Sequence, residues 1–183
     1  MTKARQALLG QIATVLDRVD ATEEEKAVAL IAGARRIALY GVGREGLQIK
    51  GFAMRLYHLG LKVSMVGDMT ATPVDTNDLL IVSAGPGPFS TVEALVGVAR
   101  SAGAKVLLLT AVPGWADKTA DQQLVVPAPI FRDNNSPDAA NIPMGGTIYE
   151  GALYVLFEDL IVQIRDRLGI TVDDMRANHT NLE

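Results

Sequence analysis

Short apolar runs that alternate with helical patterns dominate the middle of the sequence. Between the runs, apolar residues recur at helical spacing over 46–59 and 90–102, with a shorter helical piece at 115–120. Strands that alternate with helices form βαβ units, and their parallel sheet is covered by helices on both faces. The sequence therefore predicts an α/β fold, a three-layer αβα arrangement with a five-stranded parallel sheet in the order 2-1-3-4-5. The five runs cover residues 36–40, 62–66, 78–83, 105–110 and 123–126.

Helices are expected on both sides of this alternating region. The spacing of apolar residues predicts two leading helices and a long helix over 147–168. Residues 151–157 of the long helix are apolar nearly all round, so we expect other elements or another subunit to bury them. We predict one domain over 1–183, with leading helices in 1–34, a sheet core in 35–126, and C-terminal helices and tail in 147–183.

Composition and charge exclude several classes of function. The 183 residues include 17 Lys and Arg, 21 Asp and Glu, two His and no Cys, so the formal net charge is -4. Without Cys there is no disulfide, thiolate metal site or thiol nucleophile, and two His are too few for an all-His metal site. An acidic chain with 5% aromatic residues argues against nucleic-acid binding. Because no apolar run reaches the roughly 18 residues of a membrane span, and no signal peptide is evident, we expect a cytoplasmic protein without a membrane partner.

The first apolar run leads directly into a glycine-rich turn, which a helix follows. Residues 41–46 read Gly-Val-Gly-Arg-Glu-Gly, a G-x-G-x-x-G pattern that lets backbone approach an anion at a helix N-terminus. Asp68 lies where a dinucleotide site carries its ribose-binding acid, so NAD binding stays open at this point. Leu47 stands where a P-loop requires Lys, which excludes that site. A tight turn that simply needs small residues is the structural alternative.

The third run ends in a second turn, which contains glycines, prolines and hydroxyls. Ser83, Ser90 and Thr91 supply the hydroxyls of residues 83–91, although Ser90 also fits the start of a capping box and would then only cap its helix. Strands one and three flank the switch point of the predicted sheet, where ligands bind beyond the carboxyl ends. An NAD enzyme would be expected to carry a second catalytic domain, for which this chain has no room. The two turns therefore favour a compact anion, most commonly a phosphorylated metabolite.

One long segment has no periodic pattern. Residues 127–146 contain four prolines, three asparagines and a Gly-Gly pair. Loops of this length inside domains are usually functional or disordered, and this one leads directly into an apolar helix. We predict that it covers the site or contacts another subunit.

Several of these stretches together resemble the sugar-isomerase (SIS) fold, and more closely the 6-phospho-3-hexuloisomerases. They are the first turn at 41–44, Phe-Ala-Met-Arg-Leu-Tyr-His-Leu-Gly at 52–60, the second turn at 83–91, and the ending at 175–183. The resemblance implies a homotetramer with active sites at subunit interfaces. It also implies interconversion of 3-hexulose 6-phosphate and fructose 6-phosphate without a metal or organic cofactor.

The resemblance also assigns roles to residues. Glu150 corresponds to the base at the start of the long helix, and His179 to a histidine that reaches over from another subunit. From spacing alone, Glu150 fits a capping box with Thr147, His179 fits a solvated tail, and Arg55 fits a surface salt bridge. The positions expected to bind the sugar phosphate are Gly43, Arg44, Glu45, Arg55, Ser83, Gly85, Gly87, Ser90 and Thr91.

The sequence departs from the family pattern in both turns. Glu45 occupies a position where the family usually has Ser, and its carboxylate would repel a phosphate, so it is expected to point away unless the ligand differs. The second turn has Ala-Gly-Pro-Gly-Pro-Phe behind Ser83 where further hydroxyls are usual. Three alternatives to the hexulose-phosphate isomerase follow: a non-catalytic sugar-phosphate-binding protein, an isomerase for a different sugar or sugar phosphate, and, last, NAD binding.

Overall fold

Five parallel strands form the middle layer of the computed structural model, which describes residues 1–115, 119–130 and 146–182. In chain order the strands are β1 Ile37–Gly41, β2 Val63–Met65, β3 Leu79–Ser83, β4 Lys105–Thr110 and β5 Gln122–Val125. Their order in the sheet is β2-β1-β3-β4-β5, so the predicted order 2-1-3-4-5 and the α/β class are confirmed. Each strand agrees with a predicted apolar run to within one residue at either end.

Helices cover both faces of this sheet. The helices are α1 Lys3–Leu16, α2 Ala21–Gly33, α3 Glu45–His58, α4 Ser90–Ser101, α5 Thr147–Leu168 and α6 Val172–Ala177. Side chains alternate along each strand, so Leu79 and Ile81 of β3 pack with α1, α2, α3 and α5, whereas Leu80 and Val82 pack with α4 on the opposite face. Of the short helical piece predicted at 115–120, residues 116–118 lie outside the described part, and its described residues are not helical.

The turn between β1 and α3 is built on a close contact between two glycines. A Cβ at Gly41 would lie 2.8 Å from the Cα of Gly46, and a Cβ at Gly46 would lie 2.7 Å from the carbonyl oxygen of Gly41. Both obstacles are backbone atoms, which cannot rotate aside as a side chain would. These glycines therefore bring the start of α3 directly against the end of β1.

At the other end of β1 and β3, where the two strands begin, a buried carboxylate holds them together. Asp78, just before β3, pairs with Arg35 at 2.9 Å and Arg36 at 3.2 Å, which both precede β1. These guanidinium groups lower the pKa of Asp78 to about 2, chiefly through the Arg35 hydrogen bond. The contact aligns the beginnings of the two strands whose ends carry the glycine-rich turns.

The long helix α5 is buried along one side only. Ala152, Leu153 and Leu156 face the core, but Tyr154 and Val155 remain 63% and 46% exposed. Elements of the same chain therefore bury residues 151–157 on one side only, and of the two expected alternatives, burial by another subunit stays a prediction. Among the described residues, no helix has the length and apolar character needed to cross a membrane.

The close contact between Gly41 and Gly46 predicts that a larger residue at either position lowers the stability of the fold. Gly46→Ala should lower the free energy of unfolding by about 1–3 kcal/mol, because the added methyl group has only backbone to displace. Gly10→Ala is the matched control: Gly10 lies exposed within α1, and a Cβ there meets nothing within 4 Å. It should raise stability by about 0.5–1 kcal/mol through helix propensity. Urea unfolding at one fixed protein concentration checks both, and equal effects of the two changes would contradict the packing argument.

Candidate active site

The two glycine-rich turns leave the sheet side by side. In the parallel pairing of β1 with β3, Gly41 lies opposite Ser83, and the N–H of Val42 donates to the carbonyl oxygen of Ser83 at 3.2 Å. The start of α5 closes the third side, and a cavity of about 210 Å³ lies between them. Its lining consists of Val42, Gly43, Arg44, Glu45, Gly85, Pro86, Phe89, Pro129, Ile130, Gly146, Tyr149 and Glu150.

Glu45 forms the floor between the two turns. It is the first residue of α3 and only 5% exposed. Its carboxylate accepts a short hydrogen bond from the Ser83 hydroxyl and accepts the N–H of Gly85 at 3.0 and 3.1 Å. Burial raises the pKa of Glu45 to about 7, partly offset by these two donors and reinforced by the nearby Glu150 carboxylate. Contrary to the expectation, the side chain points toward the second turn and not away from the pocket.

Tyr149 supports this arrangement from α5. Its hydroxyl lies 3.2 Å from the Ser83 Oγ, and its ring lies so close to Gly85 that a Cβ there would approach within 2.7 Å. Burial, together with the Glu45 carboxylate, raises the pKa of Tyr149 well above its usual value, so it is a neutral phenol. Tyr149 is not among the site residues predicted from the sequence; its one signal there is its position beside Glu150 at the start of the long helix.

Glu150 lies at the mouth of the cavity and is held by an arginine from the first turn. The Arg44 Nε donates to the Glu150 carboxylate at 2.6 Å, and the Arg44 Nη2 donates to the Thr147 hydroxyl at 3.2 Å. The Glu150 side chain is 16% exposed, so a ligand in the cavity can reach it. The alternative that Glu150 partners Thr147 in a capping box is wrong, since Gly146 is the N-cap and no side chain caps this helix.

The hydroxyls at the end of the second turn do not line the cavity. Phe89 has the extended backbone of an N-cap, and Ser90 is already the first helical residue of α4, so Ser90 does not cap it by a side-chain hydrogen bond. Ser90 and Thr91 are exposed, and Gly87 is buried within the turn. Phe89 and Pro86 stand in the cavity wall instead.

Two predicted site residues lie far from the cavity of their own chain. Arg55 makes a two-pronged ion pair with Glu158 at 3.0–3.2 Å, ten residues and about 15 Å along α3 from Glu45. His179 stacks on His58, with ring centroids 4.8 Å apart, at the far end of α3 and about 20 Å from Glu45. One chain alone therefore does not bring His179 to Glu150.

The described residues contain no group of three or more His, Asp or Glu side chains placed to hold a metal ion. Of the segment predicted to cover the site, Pro129 and Ile130 do form part of the cavity wall. Residues 131–145 lie outside the described part of the chain.

Known proteins are similar to this chain over its full length, in sequence and in structure. No family model matches the chain. A 3-hexulose-6-phosphate isomerase of Methylomonas aminofaciens is 33% identical over 183 residues, which is 100% of both chains. A Methanococcus jannaschii protein, whose structure infers a molecular function of 3-hexulose-6-phosphate isomerase, superposes with a TM-score of 0.82 at 24% identity, covering 96% of this chain and 98% of that one.

A further structural neighbour has a ligand. An E. coli CFT073 protein solved in complex with a sugar phosphate superposes with a TM-score of 0.75 at 14% identity, covering 98% of this chain and 100% of that one. The structural neighbours establish the fold, and the full-length sequence match establishes the family. This chain belongs to the 3-hexulose-6-phosphate isomerase family of SIS-fold proteins.

Proposed function

We propose that the cavity is the active site of a phosphosugar isomerase that interconverts 3-hexulose 6-phosphate and fructose 6-phosphate through an enediol. The observation that carries this proposal is the Glu150 carboxylate, fixed by Arg44 at the mouth of a small cavity and still partly accessible. The family membership supplies the substrate class, since the Methylomonas relative is a 3-hexulose-6-phosphate isomerase. The sugar phosphate is the small-molecule partner, with no metal or organic cofactor required.

The reaction needs a base placed beside two adjacent carbons. In 3-hexulose 6-phosphate the carbonyl is at C3; Glu150 removes the proton from C2, and the electrons form the C2–C3 double bond of an enediol. The same carboxyl group then returns the proton to C3, while the hydroxyl proton at O2 moves to O3 and leaves the carbonyl at C2. Arg44 keeps the carboxylate in one orientation, which favours transfer along a fixed line.

The proton transfer between the two oxygens calls for a second group, which we assign to His179 of a neighbouring subunit. His179 of the same chain lies about 20 Å from the pocket, so a neighbour must supply it. Exposed apolar side chains on α3 and α5 provide a surface for such a neighbour, and they support the proposed homotetramer. They are Leu47, Met54, Tyr57, Tyr154 and Val155.

A second candidate function has one observation in its favour. Glu45 already occupies the Ser83 hydroxyl and the Gly85 N–H, two donors that a phosphate group would use. This favours an SIS protein that binds a sugar phosphate without turnover, or an isomerase for a different sugar. Assays of 3-hexulose 6-phosphate turnover, with fructose 6-phosphate, free sugars and NAD(P) in a thermal-shift panel, separate these functions. A thermal shift in response to NAD(P) alone would contradict the proposal.

A cytoplasmic location stays a prediction.

Removing the base should separate binding from chemistry. Glu150→Gln should lower kcat by at least about 100-fold, because the amide cannot accept the carbon-bound proton. Stabilisation by fructose 6-phosphate in a thermal-shift assay should persist. Asp166→Asn, the same kind of change at the exposed end of α5, should leave both unchanged. Substantial turnover by Glu150→Gln would remove Glu150 from the mechanism.

A mixing experiment tests the shared site. Glu150→Gln and His179→Ala chains should each be inactive alone. If each site takes Glu150 from one chain and His179 from another, unfolding and refolding the two variants together should restore activity, on the order of a quarter of the wild-type value from random assortment. The refolded single variants serve as controls. Full activity of His179→Ala, or no recovery on mixing, would contradict a site shared in this way.

A further inference from the structure

Three donors at the beginning of the second turn, on Ser83, Gly85 and Gly87, are already satisfied within the protein. The Ser83 hydroxyl donates to one Glu45 oxygen, and the Gly85 N–H is shared between both. The Gly87 N–H donates to the carbonyl oxygen of Ala84 at 3.0 Å, and Pro86 and Pro88 have no N–H to offer. The Glu45 carboxylate thus occupies the Ser83 and Gly85 donors, which an anionic group of a ligand would otherwise use.

Glu45 is not placed to swing aside. Gly46, the next residue, is packed against Gly41, so the beginning of α3 is fixed to the end of β1. The side chain is buried, and its carboxylate is held by two donors from β3 and its turn. A phosphate that enters the cavity therefore comes close to the Glu45 carboxylate, which cannot move away. Two neighbouring negative charges repel each other strongly in a partly buried site. Neutralising the carboxyl group removes this repulsion without moving the helix.

We propose that Glu45 is a specificity-determining residue: the pocket accepts the phosphate group of the sugar together with a proton that Glu45 takes up. The protonated carboxyl keeps its place beside Ser83 and gains an O–H, so it can donate to a phosphate oxygen instead of repelling it. This inference rests on the proposed function, because it concerns the same cavity and the same class of ligand.

The charges around Glu45 favour this coupling. Among the described residues that line the cavity, the other titratable or charged groups are Arg44, Tyr149 and Glu150. Arg44 is paired with Glu150 and donates no hydrogen bond to Glu45, whereas Tyr149 stays a neutral phenol. The Glu150 carboxylate adds negative charge and raises the pKa of Glu45 further. Within this described lining, no unpaired cation therefore offsets the negative charge that a phosphate would add beside the Glu45 carboxylate.

The pKa of Glu45 determines how the affinity for the sugar phosphate changes with pH. Burial raises the pKa of Glu45 to about 7 in the free protein, and a bound phosphate dianion raises it further. Below about pH 7 the carboxyl is protonated and binding takes up no proton. Above it, each ligand must be accompanied by a proton, so the affinity falls by up to about tenfold for each pH unit. The second pKa of the phosphate ester, about 6, adds little in this range.

Calorimetric titration of the full chain with fructose 6-phosphate tests the proposal. Between about pH 6.5 and about pH 8.5, the wild-type Kd should rise at least tenfold. In two buffers with different ionisation enthalpies at the upper pH, binding should take up close to one proton per ligand. Glu45→Gln, a neutral isostere, and Glu45→Ser should change in Kd by less than about twofold over the same range and take up no proton. Both variants keep Arg44, Tyr149 and Glu150, so any difference isolates Glu45.

Each outcome of the calorimetric titration either supports or overturns the proposed role of Glu45. The wild-type measurement does not depend on the folding of a variant, and binding by the wild-type chain without proton uptake would overturn the proposal. Proton uptake that persists in Glu45→Gln would assign it to another group and also overturn it. In both cases isomerase activity would survive, which leaves the proposed function intact. If neither the wild-type chain nor the variants bind fructose 6-phosphate at any pH, the proposed function fails and this inference fails with it.

Discussion

The site depends on the pairing of β1 with β3. Because these strands are neighbours in the sheet yet separated in the chain, their carboxyl ends place two different turns against each other, with Gly41 opposite Ser83. The glycine contact between β1 and α3 then fixes the direction in which α3 leaves, and with it the position of Glu45. The Arg35–Asp78 ion pair aligns the same two strands at their beginnings. The geometry of the cavity is thus a consequence of backbone packing before any polar side chain is considered.

Two carboxylates in this cavity have different surroundings, and this difference suggests their roles. Glu150 is paired with Arg44 and partly accessible, as suits a base that meets a substrate carbon. Glu45 is buried and has only neutral donors, and burial raises its pKa to about 7. Two carboxyl groups in such different surroundings usually divide the acid and base work of a site. The proposed roles, Glu150 as the base and Glu45 as the group that takes up a proton when the phosphate binds, are consistent with that rule.

Much of the fold followed from the sequence, because its signals are local. The apolar runs and the glycine-rich turns placed the strands and the beginning of α3 to within a residue or two, and α5 was predicted at its observed bounds, Thr147–Leu168. The contacts of the site depend on tertiary packing and could not be predicted in this way. Tyr149 looks like any aromatic residue in an apolar helix, and only the packing of α5 on the second turn brings its hydroxyl to Ser83. Ser90 matches a capping signature, but the chain has already entered the helix at that residue, so Phe89 takes the N-cap position.

The most direct test of the central claim is solvent exchange at the carbon atoms of fructose 6-phosphate. NMR spectra of the sugar incubated with the wild-type chain in deuterium oxide should show deuterium entering at C3, the carbon from which a base forms a 2,3-enediol. The protons at C1 should stay, and Glu150→Gln should exchange neither position. Exchange at C1 instead of C3, or exchange at C3 that survives in Glu150→Gln, would contradict a 2,3-isomerase that uses Glu150 as its base.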